Sequence, residues 1–265
     1  RAARLRDAVA EKLADGSLAA PSFRPRREIP GVTIVGAGPG DPTLITVAGR
    51  RALGRADVVV ADRLAPAALL EELPDTCEIV DAAKIPYGRQ ATQDEINAVM
   101  IDRAGAGKHV VRLKGGDGFV FGRGGEELDA CAAAGLPVHV IPGVTSALAA
   151  PALAGIPVTE RGLVHEFVVV SGHLPPGHPE SLVDWDAVGR LRGTVVLLMA
   201  VRNLKAVTAA LVAAGRSQRT PAAAIMDAST PRQRVVRSTL GAVAEADVTS
   251  PAVIVVGEAA RPERG

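Results

Sequence analysis

The sequence predicts an α/β protein made of two consecutive α/β domains. Apolar, β-branched runs alternate with alanine-rich segments of helical character, and a turn-rich stretch at 154–162 divides this alternation into two series. The chain has 265 residues, 48% of them apolar, which is enough for two hydrophobic cores. We predict a helix and linker over 1–30, an N-terminal domain over 31–153 and a C-terminal domain over 154–262.

The first series predicts a parallel sheet covered by helices on both faces. Strands are predicted at 32–35, 57–61, 108–113 and 137–141. Helices are predicted at 43–53, 93–103, 125–134 and 145–153. Continuous β-branched strands separated by helices are typical of a parallel sheet that is buried on both sides.

The second series and the N-terminal segment complete the organisation. Strands are predicted at 166–171, 194–199, 222–225, 233–237 and 252–256. Before the first strand, Leu5, Val9 and Leu13 recur every four residues, which predicts a helix. A basic, proline-containing stretch then predicts a linker up to residue 30.

Composition excludes several classes of partner and site. Thirty Lys and Arg against 29 Asp and Glu predict no nucleic-acid or anionic-membrane partner. No apolar run approaches the ~18 residues that span a bilayer. The only cysteines, Cys77 and Cys131, predict a reducing, cytoplasmic location, and the histidines show no metal-ligand spacing, so no metal site is predicted.

Three glycine-rich turns follow predicted strands. The first, Val35-Gly-Ala-Gly-Pro-Gly-Asp41, is compatible with a nicotinamide dinucleotide, with another small ligand, or with a purely geometric turn. The second, over 114–127, contains six glycines and is too costly in chain entropy for a plain connector. The third is Pro142-Gly-Val-Thr145. Because ligands bind at the carboxyl ends of parallel strands, the three turns predict a shared crevice.

These motifs, together with Ala61-Asp-Arg-Leu64, Val111-Arg-Leu-Lys-Gly-Gly-Asp117 and Phe121-Gly-Arg-Gly-Gly-Glu-Glu127, resemble the tetrapyrrole methylases, class III S-adenosylmethionine-dependent methyltransferases. The resemblance runs from about Gly31 to Gly257 and is strongest to members that methylate uroporphyrinogen III. It implies S-adenosylmethionine in the cleft between two α/β domains, S-adenosylhomocysteine as the product, and a homodimer. It also implies that the first 30 residues are the tail of a preceding fused module.

The resemblance also implies site residues. The expected cofactor-binding residues are Pro39, Gly115, Gly116, Asp117, Val120, Thr145, Ser146, Met199 and Ala228. Asp62 corresponds to the proton acceptor and Lys84 to the proton donor that are proposed for the family. For the acceptor we expect Arg63, Arg89, Phe119, Phe121, Glu160 and Arg161. A carboxylate at Asp62 can stabilise the cationic ring that methylation creates, or take its proton.

The acceptor itself is left open by departures from the family pattern. Ala48 stands where a cation is usual, and Glu160 replaces a histidine, so the site of an octa-anionic substrate loses positive charge. One hypothesis is methylation of uroporphyrinogen III to precorrin-2. The other is C3 methylation of indole in tryptophan-containing cyclic dipeptides. A remote alternative is a non-catalytic module that only binds the cofactor.

Overall fold

The computed structural model describes residues 11–12, 30–82 and 92–262. Five strands form the first sheet: β1 (Gly31–Gly36), β2 (Val58–Ala61), β3 (Glu78–Asp81), β4 (His109–Lys114) and β5 (Val138–Ile141). Their order is β3-β2-β4-β1-β5, and every neighbouring pair is parallel. The predicted parallel sheet is therefore confirmed, and all five strands end at the same edge. The helix and linker expected over 1–30 lie almost entirely outside the described residues.

Successive side chains of a strand point to opposite sides of the sheet. Because the strands here are apolar on both sides, both faces of the sheet are covered. Val59 packs into one core cluster, whereas Val58 and Val60 pack into the other. Helices cover the two faces: α1 (Val47–Leu53), α2 (Ala67–Glu71), α3 (Gln93–Gly105) and α4 (Gly124–Ala133). The predicted helix at 43–53 is shorter because Thr46 caps α1 and a 3-10 turn precedes it.

The second half contains another five-stranded sheet. Its strands are β6 (Phe167–Ser171), β7 (Thr194–Leu198), β8 (Pro221–Met226), β9 (Arg234–Thr239) and β10 (Ala252–Val256). The order is β6-β7-β10-β8-β9, and only β6 and β7 are parallel. The two-sheet α/β architecture agrees with the prediction. The mixed strand directions of the second sheet were not part of that prediction.

One helix joins the two halves. The α5 helix (Ser146–Leu153) follows β5, yet its Ala147 and Ala150 pack with Val196 and Ile225 in the core of the second sheet. The opposite face of that sheet is covered by α6 (Trp185–Arg190) and α7 (Leu204–Ala213). The domain boundary at 153/154 stays a prediction. Over the described ranges, none of the helices combines the length and apolarity that crossing a membrane requires.

Candidate active site

Three glycine turns meet where β1, β4 and β5 end. Gly38 and Gly116 exchange two backbone hydrogen bonds, of 3.1 and 2.7 Å. A Cβ atom on Gly143 would lie 2.2 Å from the Gly116 carbonyl oxygen, and one on Gly36 would lie 2.5 Å from Gly143 Cα. Side chains therefore cannot replace these glycines without moving backbone. The three turns therefore lie together at one sheet edge, as the sequence predicts, and they border the candidate crevice.

The Asp117 carboxylate holds two of these turns in place. One of its oxygens accepts the Phe119 N–H and the other accepts the Gly143 N–H, both at 2.8 Å. Nearby, Thr145 caps α5, and a Cβ on Gly116 would lie 3.6 Å from the Ser146 nitrogen. Of the predicted cofactor residues, those from the second and third turns are therefore brought together.

Aromatic side chains project from the second turn. Phe119 is 49% exposed and Phe121 is 46% exposed, and Phe121 has a left-handed backbone with φ of 54°. Val120, between them, packs against the second-half core. Leu64 is also exposed, and a Cβ on Gly115 would touch its side chain at 2.8 Å. An apolar surface is thus available beside the glycine turns.

The second half closes the other side of the crevice. Ser229 Oγ accepts the Asp41 N–H at 2.8 Å, and a Cβ on Gly40 would lie 3.2 Å from the Ala228 carbonyl oxygen. The predicted cofactor residue Pro39 precedes Gly40 and is half-buried. The first glycine turn therefore contacts the segment that follows β8.

Unusual backbone conformations are concentrated in this region. Among the described residues, the non-glycine residues with positive φ are Phe121, Arg123, Met199, Asp227 and Ser229. Met199, directly after β7, is 47% exposed. Such conformations cost roughly 1–3 kcal/mol each and are typical of ligand sites. The exposed Met199 and the left-handed turn at 227–229 are consistent with the predicted contribution of Met199 and Ala228.

Asp62 lies at the end of β2, next to the crevice. It is bound by Arg112 of β4, whose Nη2 donates to Asp62 Oδ1. The Arg112 side chain is almost fully buried, whereas that of Asp62 is 33% exposed. The Asp62 carboxylate is therefore oriented by the buried Arg112 guanidinium and is partly exposed to solvent.

A second carboxylate lies beneath this pair. Glu127 of α4 is fully buried, and its Oε1 accepts hydrogen bonds from Arg112 Nε and Lys114 Nζ, both at 2.8 Å. Lys114 Nζ also lies 3.9 Å from Asp62 Oδ2. Burial lowers the pKa of Lys114, and the positive charge of Arg112 lowers it further, while the charges of Glu127 and Asp62 oppose the shift. Two cations and two carboxylates thus form a neutral cluster.

Sequence reasoning missed Arg112, Lys114 and Glu127 as a unit, and it also missed Ser229. A signal was present: Arg112 and Lys114 alternate with apolar residues in a strand that lies in the middle of the sheet. Charged side chains at such buried positions need partners of opposite charge.

The structure describes some, but not all, of the residues predicted to contact the acceptor. Arg63 is exposed next to Asp62, and Arg161 is exposed in the connector between the halves. The Glu160 carboxylate is 3.2 Å from Arg261 Nη2, so the negative charge that sequence reasoning assigned to the acceptor pocket is compensated. Lys84 and Arg89 belong to 83–91, outside the described residues.

A sequence profile described as Tetrapyrrole (Corrin/Porphyrin) Methylases matches residues 31–244. The chain is 42% identical over 231 residues to an S-adenosyl-L-methionine-dependent uroporphyrinogen III methyltransferase of Methanosarcina barkeri, covering 86% of this chain and 91% of that protein. It is 44% identical over 232 residues to a uroporphyrinogen-III C-methyltransferase of Methanocaldococcus jannaschii, covering 86% and 95%.

A solved structure agrees with the sequence relatives. The Thermus thermophilus uroporphyrin-III C-methyl transferase, complexed with S-adenyl homocysteine, is 41% identical to this chain. The TM-score is 0.75, and the match covers 87% of this chain and 93% of that one.

Proposed function

The chain belongs to the tetrapyrrole methylase family, and we propose that it is an S-adenosylmethionine-dependent C-methyltransferase that converts uroporphyrinogen III to precorrin-2. The observation that carries this proposal is the identity of 42–44% to relatives named for that reaction, over nearly their whole length. The crevice of glycine turns next to a cation-bound carboxylate supports it from the chemistry.

The residues of the crevice fit the cofactor. Glycines allow the backbones of the three turns to approach one another closely beside the ligand site, and the exposed Met199 side chain is available for contact. Bound there, S-adenosylmethionine supplies an electrophilic methyl group on a sulfonium. We infer that the residues holding it are Pro39, Gly115, Gly116, Asp117, Val120, Thr145, Ser146, Met199 and Ala228. Among them, Asp117 acts by fixing the second and third turns, because backbone N–H groups engage both of its oxygens.

Asp62 is the proposed catalytic carboxylate. A ring carbon that accepts a methyl group leaves a cationic ring, which must be stabilised and lose a proton. A carboxylate that is fixed on one side by Arg112 and is partly exposed on the other can do both. Holding the reacting groups in line supplies a further part of the rate. The proton donor in this proposal is Lys84.

The acceptor is proposed to lie against Phe119 and Phe121, whose exposed rings match the flat pyrrole units. Arg63, Arg89 and Arg161 are the proposed partners of its carboxylates. Glu160 is paired with Arg261, so it adds no uncompensated negative charge, and Ala48 lies on the exposed side of α1. The charges at these two positions therefore give little reason to prefer an indole acceptor to a tetrapyrrole.

A transfer assay tests the proposal. The purified protein is incubated with methyl-labelled S-adenosylmethionine and either uroporphyrinogen III or a tryptophan-containing cyclic dipeptide, and the products are identified by mass spectrometry. We expect label in the tetrapyrrole alone, with precorrin-2 as the product. Label in the dipeptide alone would overturn the proposed acceptor, and cofactor binding without transfer to either would support the non-catalytic alternative.

The proposal also includes the oligomeric state of the protein and its cellular compartment. We infer a homodimer, because large apolar side chains near the connector are exposed in one chain: Val144, Leu148, Leu153, Leu163 and Phe167. Light scattering after size-exclusion chromatography should give twice the 27.2 kDa of one chain, and a mass of one chain would contradict it. A cytoplasmic location is proposed because Cys77 and Cys131 are both free thiols.

A further inference from the structure

We propose that Glu127 is a positioning residue that holds the Lys114 ammonium away from Asp62 and so keeps Asp62 Oδ2 free for the acceptor. This inference rests on the proposed function, in which Asp62 is the catalytic carboxylate. Glu127 itself is fully buried behind β4 and therefore does not line the crevice. Its influence on the reaction passes through Lys114 and Arg112.

The two oxygens of Asp62 have different surroundings. Oδ1 accepts a hydrogen bond from Arg112. Oδ2 receives no hydrogen bond from the residues that the structure describes, and the Lys114 Nζ lies 3.9 Å from it. That distance is about 1 Å longer than a charge-assisted hydrogen bond. The oxygen that is left open is therefore the one able to contact a cationic ring or take a proton.

Glu127 is what directs Lys114 elsewhere. Its Oε1 accepts the Lys114 ammonium at 2.8 Å and the Arg112 Nε–H at the same distance, with Gln93 Nε2 at 3.2 Å. Lys114 and Arg112 are two residues apart on one strand, so their side chains leave the same face of the sheet. Without Glu127, Asp62 would be the remaining carboxylate within 4 Å of the flexible Lys114 side chain among the described residues.

The cluster of Arg112, Lys114, Glu127 and Asp62 contains a destabilising group whose presence packing alone does not explain. Glu127 Oε2 is buried and has no hydrogen-bond partner among the described residues. An unpartnered buried carboxylate oxygen destabilises a fold, and apolar side chains of similar volume are often as stable as buried ion pairs. A carboxylate at this position therefore serves the arrangement of charges around Asp62.

The test compares Glu127→Gln with the double variant Lys114→Met/Glu127→Gln. In the single variant we expect Lys114 Nζ to move from 3.9 Å to about 3 Å from Asp62 Oδ2 in a crystal structure. We expect kcat on uroporphyrinogen III to fall at least tenfold, with KM for S-adenosylmethionine changed less than twofold. In the double variant the Lys114 ammonium is no longer there to cover Oδ2, so kcat should return to within about threefold of the wild type.

Asp129→Asn is the matched control. It removes an exposed carboxylate of the same helix and should leave kcat unchanged. If Glu127→Gln does not fold, the neutral double variant and Glu127→Asp, whose shorter side chain reaches Lys114 less well, supply the same two readouts.

Three results would overturn the inference: a Lys114 that stays near 3.9 Å from Asp62 in Glu127→Gln, a kcat unchanged in that variant, or a double variant no more active than the single one. The Lys114–Asp62 distance is measured without turnover. A wild-type protein that does not methylate uroporphyrinogen III would therefore refute the proposed function while the crystal structure still decides the role of Glu127.

Discussion

Arg112 donates one hydrogen bond to Asp62 at the edge of the crevice and another, of 2.8 Å, to the fully buried Glu127. A single guanidinium in the middle of a parallel sheet thus connects a carboxylate that solvent reaches with one that solvent does not. This relationship places the proposed chemistry of Asp62 on a rigid strand, where its orientation depends on a buried partner.

Asp62→Asn should abolish most of the methyl transfer. Asparagine can still accept the Arg112 hydrogen bond but lacks the negative charge, so we expect kcat to fall about 100-fold or more. Calorimetric titration with S-adenosylhomocysteine should give the wild-type affinity, since the cofactor is held by the glycine turns. A kcat within threefold of the wild type would remove Asp62 from the mechanism.

Arg112→Met should destabilise the fold. The change leaves Glu127 buried with one cation fewer, and breaking a buried ion pair on one side costs about 3–5 kcal/mol. The free energy of unfolding from urea titration measures the loss. Arg50→Met, which breaks an exposed pair with Glu72, is the control and should cost less than about 1 kcal/mol. Equal losses in both variants would contradict the importance of burial.

Gly143→Ala should disrupt the crevice. The added methyl group would lie 2.2 Å from the Gly116 carbonyl oxygen, so one of the two turns has to move. We expect binding of S-adenosylhomocysteine to weaken at least tenfold, as measured by calorimetry. Gly125→Ala, where a Cβ meets nothing within 4 Å, should bind as the wild type does. Unchanged affinity in Gly143→Ala would place the ligand elsewhere.

The buried thiol of Cys131 should make stability depend on pH. Burial, with a smaller contribution from the charge of Glu127, raises the pKa of Cys131 from 9.0 to about 11. Between these values the folded state holds a proton that the unfolded state has lost. The free energy of unfolding should therefore fall by about 2–3 kcal/mol between pH 9 and pH 11, and this contribution is fully present below pH 9. Urea titrations of Cys131→Ala should lack that part of the decrease; an identical pH profile would refute it.

Those parts of the fold could be predicted from the sequence for which the pattern of apolar residues alone decides the structure. The β-branched runs at β1 and β2 carry no charged residue on either face, so they belong to a sheet covered on both sides. The strand β3, four residues with acidic ends at a sheet edge, has no such pattern and was missed. Strand direction in the second sheet depends on the connections: only residues 227–233 join β8 to β9, too few for the crossover that a parallel pair needs.

The candidate site likewise has parts that could be predicted from the sequence and parts that could not. The glycine turns could be predicted to converge, because the ends of parallel strands share one edge. The pairing of Arg112 with Glu127 could not, because α4 brings the carboxylate back beneath β4 only through the packing of the helix on the sheet. The pairing of Glu160 with Arg261, 101 positions apart, depends in the same way on how the second half closes.

The most direct test of the central claim, that the cleft between the two halves holds the methyl donor beside Asp62, is a crystal structure of the protein with S-adenosylhomocysteine. We predict that the ligand lies between Gly116 on one side and Met199 and Ala228 on the other, with its sulfur facing the cavity that Asp62 borders. A ligand bound outside this cleft, or with its sulfur directed away from Asp62, would contradict the account.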